Sequence, residues 1–137
     1  MISVIATVLN EGESIRGLLN SLAAQTRAPD ELVIVDGGSR DQTLAILREY
    51  RDRLPLRLIE APGLSISAGR NRAIAEARGG IIASTDAGGV LVPGWLEALT
   101  APLREDAALQ VVGGFFEADP QSVFEVALGA TTLPLAE

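Results

Sequence analysis

Gly80-Ile81-Ile82-Ala83-Ser84-Thr85-Asp86-Ala87-Gly88-Gly89 is a short apolar run that ends on a carboxylate and then on glycines. Ile81, Ile82 and Ala83 are what a buried strand needs; an acid at its tip is not. In open α/β sheets ligands bind outside the carboxyl ends of the strands, so an acid there faces a ligand or a metal. The rest of the chain is read by what it gathers around Asp86.

Upstream, Ile2 to Leu9 is almost wholly apolar or β-branched, the mark of a strand covered on both faces. It runs into Asn10-Glu11-Gly12. From Glu13 the period changes, and Ile15, Leu18, Leu19, Leu22 and Ala23 share one helical face. Pro29 closes that region. Leu32 to Val35 is a second strand, ending on Asp36-Gly37-Gly38. Ser39-Arg40-Asp41-Gln42 has the form of a capping box opening a helix through Thr43, Leu44, Leu47 and Tyr50. Leu56 to Ile59 follows Pro55 as a third strand. An alanine-rich helix from Ser65 or Ser67 to Arg78 is expected to stop at Gly79-Gly80.

After the fourth strand, Pro93-Gly94-Trp95 begins a helix carrying Leu96, Leu99 and Leu103, which Pro102 should kink or end. Leu109 to Phe116 reads as a fifth strand. Asp119-Pro120 is a cap followed by a first-turn proline, opening a last amphipathic segment with Val123, Phe124, Ala127 and Leu128. Strands alternating with helices through short connections predict an α/β fold, a three-layer α/β/α arrangement around a mostly parallel sheet. The chain ends on an apolar Thr131-Thr132-Leu133-Pro134-Leu135-Ala136-Glu137, read as a chain cut short or as one whose partner surface is elsewhere, with self-association through its exposed C-terminal side as the expected contact.

Composition narrows the chemistry. At 137 residues, 47% hydrophobic and 21% charged, the chain is expected to form one domain. A net charge of -7 argues against a nucleic-acid partner, whose phosphates need a basic surface. There is no cysteine and no histidine, so acid–base or metal chemistry falls to Asp and Glu. No basic leader and no apolar run of about 20 residues is visible, which predicts a cytoplasmic chain without a membrane segment of its own. Any membrane association would come through parts not present here.

A parallel sheet puts Asn10, Glu11, Asp36 and Asp86 around one crevice. Each motif alone has a local reading: Asn10-Glu11-Gly12 as a helix cap, Asp36-Gly37-Gly38 as a tight turn, and Arg70-Asn71-Arg72 as a solvated helix face. Together they suit a metal–diphosphate complex, because Mg²⁺ or Mn²⁺ takes few protein ligands and fills its shell with water and phosphate oxygens. A dinucleotide fold would need G-x-G-x-x-G after the first strand, and a P-loop would need a lysine, of which the chain has none. A nucleotidyltransferase would need a basic, glycine-rich loop where Asn10-Glu11 stands.

The chain resembles family 2 glycosyltransferases of the GT-A fold, inverting enzymes that use nucleotide-diphosphate sugars. The blocks that carry the resemblance are Val4 to Glu11, Leu32 to Thr43, Gly69 to Gly79 and Ile82 to Gly88, and the resemblance as a whole spans nearly the whole chain. The resemblance implies that Thr7, Asn10, Glu11, Asp36, Arg70 and Asp86 bind the nucleotide. Asp36 would contact the base, Arg70 would lie near the diphosphate or base, and Asp86 would hold Mg²⁺ or Mn²⁺. The donor would be a UDP- or GDP-type sugar. Asp86-Ala87-Gly88 stands where the family's Asp-x-Asp element lies and lacks its second acid. Residues 1–137 would form a single nucleotide-sugar-binding domain without the acceptor-side C-terminal part. The catalytic base is then expected outside this chain. The competing reading is a non-catalytic nucleotide-binding fragment, or a module completed by another chain.

Overall fold

The computed structural model describes residues 1–117, 119–120 and 122–126. Four strands form one parallel sheet: β1 (Ile2–Val8), β2 (Glu31–Asp36), β3 (Leu56–Glu60) and β4 (Ile81–Ser84), in the order β3-β2-β1-β4. Between and after them come α1 (Ile15–Ala23), preceded by a 3₁₀ turn at Gly12–Ser14, then α2 (Thr43–Glu49), α3 (Ile66–Glu76) and α4 (Trp95–Glu105). The sheet and its flanking helices match the expected α/β class.

The continuous apolar run of β1 is explained by burial on both faces. Val4, Ala6 and Val8 join Leu18 and Leu22 of α1, Leu47 of α2 and Leu96 of α4 in the larger core. Ile5 points the other way, with Val33 and Val35 of β2, and meets Ala73 of α3. The side-chain period of two thus divides one strand between two layers. A single helix covers the second face, where it can approach closely because it is small along its inner side. A Cβ on Gly69 would stand 3.0 Å from Thr7 Cγ2.

The chain runs outward from β1 to β3 through α1 and α2, then crosses the opposite face through α3 to add β4 on the far side of β1. That reversal of direction between β1 and β4 is the place where open α/β sheets bind ligands. Register brings the rim together: Val8 pairs with Asp36, and Asp36 with Glu60. Ile5 pairs with Ser84, the last residue of β4, and Asp86 two residues further on lines the same cavity as Thr7.

The opposite edge is tied by a buried polar relay. Ser3 Oγ donates to Glu31 Oε2 at 2.6 Å and accepts from the Gly79 N–H at 2.9 Å, while the Arg78 N–H donates to the same carboxylate oxygen at 2.9 Å. Burial pushes the Glu31 carboxyl up, but the Ser3 and Arg78 hydrogen bonds and the Arg78 and Arg57 charges outweigh it. The net result lies below the usual value. Gly79 therefore is not the left-handed helix stop expected of it. A Cβ there would lie 2.6 Å from Ser3 N and 2.9 Å from Met1 O, so glycine is required by close approach to β1.

Three other local expectations are corrected. The Ser39–Gln42 capping box does not form: Ser39 is drawn into the rim, and the Thr43 N–H is met instead by Asp41 Oδ1 at 3.0 Å. Pro102 does not end its helix, since α4 runs through it to Glu105. Leu109 to Phe116 forms no strand, and Val111, Phe115 and Phe116 are exposed. β-Propensity describes the residues, whereas a strand exists only through a ladder to a neighbour; none of the described residues supplies one. Of the last amphipathic segment, residues 123–126 form one helical turn. Ala127, Leu128 and the tail from Thr131 lie outside the described residues. No helix among the described residues is long and apolar enough to cross a membrane.

Candidate donor-site crevice

The loops after β1, β2 and β4 meet the N-terminal turn of α3 around a cavity of ≈ 580 Å³. The first two loops are stitched together before any ligand is considered. Asn10 adopts φ 53°, a left-handed backbone that asparagine tolerates better than most residues. In that conformation its N–H donates to Ser39 Oγ at 2.8 Å and its Oδ1 accepts from the Arg40 N–H at 2.8 Å. Gly12 N–H donates to Thr43 Oγ1 at 2.9 Å, and that hydroxyl donates to Asp41 Oδ1 at 2.5 Å. The Thr43 hydroxyl, and next the Thr43 N–H, hold the Asp41 carboxyl below its ordinary value.

Asp36 organises the second loop. Its carboxylate is buried, at 1% exposure; Oδ2 accepts from the Gly38 and Ser39 N–H groups, both at 2.9 Å, and Oδ1 from the Ser39 hydroxyl at 2.5 Å. The turn it fixes is pressed onto the loop after β3. Gly63 N–H donates to Gly37 O at 3.0 Å, and a Cβ on Gly37 would stand 3.4 Å from Leu64 O. This packing delivers Leu64 to the cavity.

Of the six expected residues, Thr7, Glu11 and Asp86 line the cavity. Arg70 reaches it through Asp86, with Nη2 to Oδ1 at 3.0 Å and both side chains largely exposed. Ser14 Oγ holds the Glu11 carbonyl at 2.7 Å. Asn10 and Asp36 are at the rim, but their side chains are spent on shaping the loops and are not among the lining groups.

Sequence reasoning passed over Leu9, Leu64, Ile66 and Gly69, which also line the cavity. Leu9, Leu64 and Ile66 are 52%, 39% and 70% exposed, so the core does not account for them. A usable signal was there for Leu64: a leucine between Pro62-Gly63 and the cap residue Ser65 has no strand or helix face to fill.

The cavity lining thus combines exposed apolar side chains, Leu9, Leu64 and Ile66, with the acids Glu11 and Asp86. The N-terminus of α3, capped by Ser65 Oγ accepting from the Ala68 N–H at 3.3 Å, adds partial positive charge. Glu11 and Asp86 are the carboxylates that line the cavity, and among the described residues no group of three or more His, Cys, Asp or Glu could hold a metal ion. That donor set does not cage an ion. It does fit the way Mg²⁺ binds when one carboxylate is completed by ligand phosphates and water.

Comparison with known proteins converges on one family. The model of Glycosyl transferase family 2 matches residues 3–128. The uncharacterized glycosyltransferase YibD of Escherichia coli is 33% identical over 106 residues, covering 77% of this chain and 31% of that protein. Validoxylamine A glucosyltransferase of Streptomyces hygroscopicus subsp. limoneus is 30% identical over 118 residues, covering 83% of this chain and 26% of that protein. The crystal structure of S. aureus TarS residues 1–349 in complex with UDP-GlcNAc superimposes with a TM-score of 0.70 at 33% identity, over 76% of this chain and 31% of that one. The chain thus spans about a third or less of the length of these relatives. With its parallel sheet, its rim of strand-end acids and a family match over nearly its whole length, the chain belongs to glycosyltransferase family 2.

Proposed function

We propose that this chain forms the donor site of a glycosyltransferase that moves a sugar from a UDP- or GDP-type nucleotide-diphosphate sugar to an acceptor hydroxyl. The observation that carries this reading is the cavity at the β1/β4 switch point, whose lining joins exposed apolar residues to strand-end acids and the N-terminus of α3. A nucleotide sugar can use both kinds of group: its base takes apolar contacts, and its anionic diphosphate takes the α3 N-terminus, Arg70 and a cation held by an acid. The similarity to TarS, crystallised with UDP-GlcNAc, supports it.

In this arrangement the base lies against Leu9 and Leu64 on the Gly37 turn that Asp36 fixes. Thr7 and Glu11 border the ribose, and Asn10 holds the loop that carries Glu11. Arg70 and the first turn of α3 face the diphosphate. A Mg²⁺ or Mn²⁺ ion shared between Asp86 and the diphosphate oxygens would offset charge on the leaving group. The acceptor oxygen attacks the anomeric carbon as the bond to the diphosphate breaks, inverting that carbon, and the hydroxyl proton passes to a base supplied from outside residues 1–137.

The test is calorimetric titration of the full-length protein with UDP, GDP and dTDP, with and without Mn²⁺, alongside Asp86→Ala and Asp36→Ala. Binding that weakens in both variants is expected. Absence of nucleotide binding, or binding indifferent to both substitutions, refutes the reading.

A further inference from the structure

Arg70, from α3, pairs at 3.0 Å with Asp86, which lines the cavity from the loop after β4. The neighbouring arginine behaves differently: Arg72 Nη2 pairs with Glu76 Oε1 at 2.9 Å, within its own helix. Of the two cations in Arg70-Asn71-Arg72, one is committed to the crevice carboxylate and the other is committed elsewhere. The Arg70–Asp86 contact is a single hydrogen bond, and the side chains are 43% and 69% exposed. Such a pair is weak, and ligands can open it.

Glu11 and Asp86 are the carboxylates that line this crevice, and Arg70 is paired with Asp86, so Arg70 and a divalent ion compete for that one. A guanidinium prefers a diphosphate, which it can meet through two parallel N–H···O bonds, to one oxygen of an exposed carboxylate. We propose that the Arg70–Asp86 pair is a lock that withholds Asp86 from a divalent cation until a diphosphate draws Arg70 away. The inference rests on the donor-site reading above and adds an order to it. Nucleotide diphosphate would open the carboxylate, which would then be free to hold the cation. By linkage, nucleotide and cation each tighten the other by the same factor, and part of that factor is the opening of the lock.

The experiment is Mn²⁺ binding by the full-length protein, read from the electron paramagnetic resonance signal of the free ion, with and without UDP or GDP. Wild type is compared with Arg70→Gln and Arg72→Gln, which remove the same charge from the same helix. In the absence of nucleotide, R70Q is expected to bind Mn²⁺ about two- to five-fold more tightly than wild type, the range an exposed ion pair can withhold. R72Q should match wild type, and the tightening of Mn²⁺ by nucleotide should be smaller in R70Q. Equal nucleotide-free affinities in wild type and R70Q overturn the lock while leaving the donor site standing. An equal gain in R72Q also overturns it, because the effect is then general charge. If wild type binds neither UDP nor GDP at any Mn²⁺ concentration, the donor-site reading fails and the lock fails with it.

Discussion

Replacing Ser39 by alanine isolates the stitching of the rim from the binding chemistry. The hydroxyl donates to Asp36 Oδ1 at 2.5 Å and accepts from the Asn10 N–H at 2.8 Å. The two losses are unequal. Asn10 is exposed, so water replaces the serine for its N–H. The Asp36 carboxylate is 1% exposed, and water does not reach it without opening the turn. A hydrogen bond to a charged acceptor is worth about 1.5–3 kcal/mol when lost, so S39A should destabilise the fold by about 2 kcal/mol. The remaining bonds to Asp36, from the Gly38 and Ser39 N–H groups, come from the backbone and survive the substitution. Urea unfolding of the full-length protein should show a lower midpoint with an unchanged m value. Ser39→Thr, which keeps the hydroxyl, should recover most of the loss. Stability within about 0.5 kcal/mol of wild type in S39A would show that Ser39 is an ordinary surface residue, as most surface substitutions behave.

Leu64→Ala should weaken UDP binding several-fold while leaving inorganic pyrophosphate binding unchanged, since only the base uses the apolar lining; equal losses for both would refute that seating. Gly69→Ala puts a methyl group 3.0 Å from Thr7 Cγ2 and should cost about 1–3 kcal/mol by pushing α3 off β1, checked by thermal unfolding. Gly79→Ala should cost at least as much, because the atoms it meets at 2.6 Å and 2.9 Å are backbone and do not yield. Glu31 and Asp41 both have folded pKa values below their ordinary ones. Their stabilisation is therefore complete above the unfolded carboxylate range, near pH 4, and is lost as pH falls through the depressed values. Glu31→Gln should flatten the acid side of the stability–pH curve measured by denaturant unfolding.

Strands were legible where burial is two-sided, because β1 and β2 need unbroken apolar runs and little else explains Ile2–Val8 or Leu32–Val35. The convergence of Glu11, Asp36 and Asp86 on one edge followed from parallel topology alone. What sequence could not resolve was the division of labour on that edge. Asp36 and Asp86 look alike as strand-end acids followed by small residues. One closes an Asx-type turn and is buried, whereas the other is exposed and pairs with Arg70. That difference is created by Ser39 and by the loop after β3, neither of which is a neighbour of Asp86 in sequence. Leu109 to Phe116 failed for a related reason. Its residue types favour a strand, but pairing is decided by what lies alongside, and that is not written in the run itself.

The charge balance of the crevice argues for the divalent ion on grounds separate from family resemblance. The charged groups that line or touch the cavity are Glu11, Asp86 and Arg70, a net excess of one negative charge before anything binds. Each phosphate of a diphosphate sugar adds another. If Arg70 turns to the diphosphate, Asp86 loses its partner and faces the anion across the cavity with nothing between them, so the guanidinium alone relocates the imbalance. A divalent cation held by Asp86 would offset the charge of both phosphates and return the crevice to the balance it had when empty. On this reasoning Asp86→Asn should lessen the dependence of UDP binding on Mn²⁺ more than it lessens binding in EDTA. Without the carboxylate there is less repulsion for the ion to relieve and no protein ligand to hold it. Calorimetry of D86N and wild type in both conditions checks this, and an unchanged Mn²⁺ dependence in D86N would place the ion on the nucleotide alone.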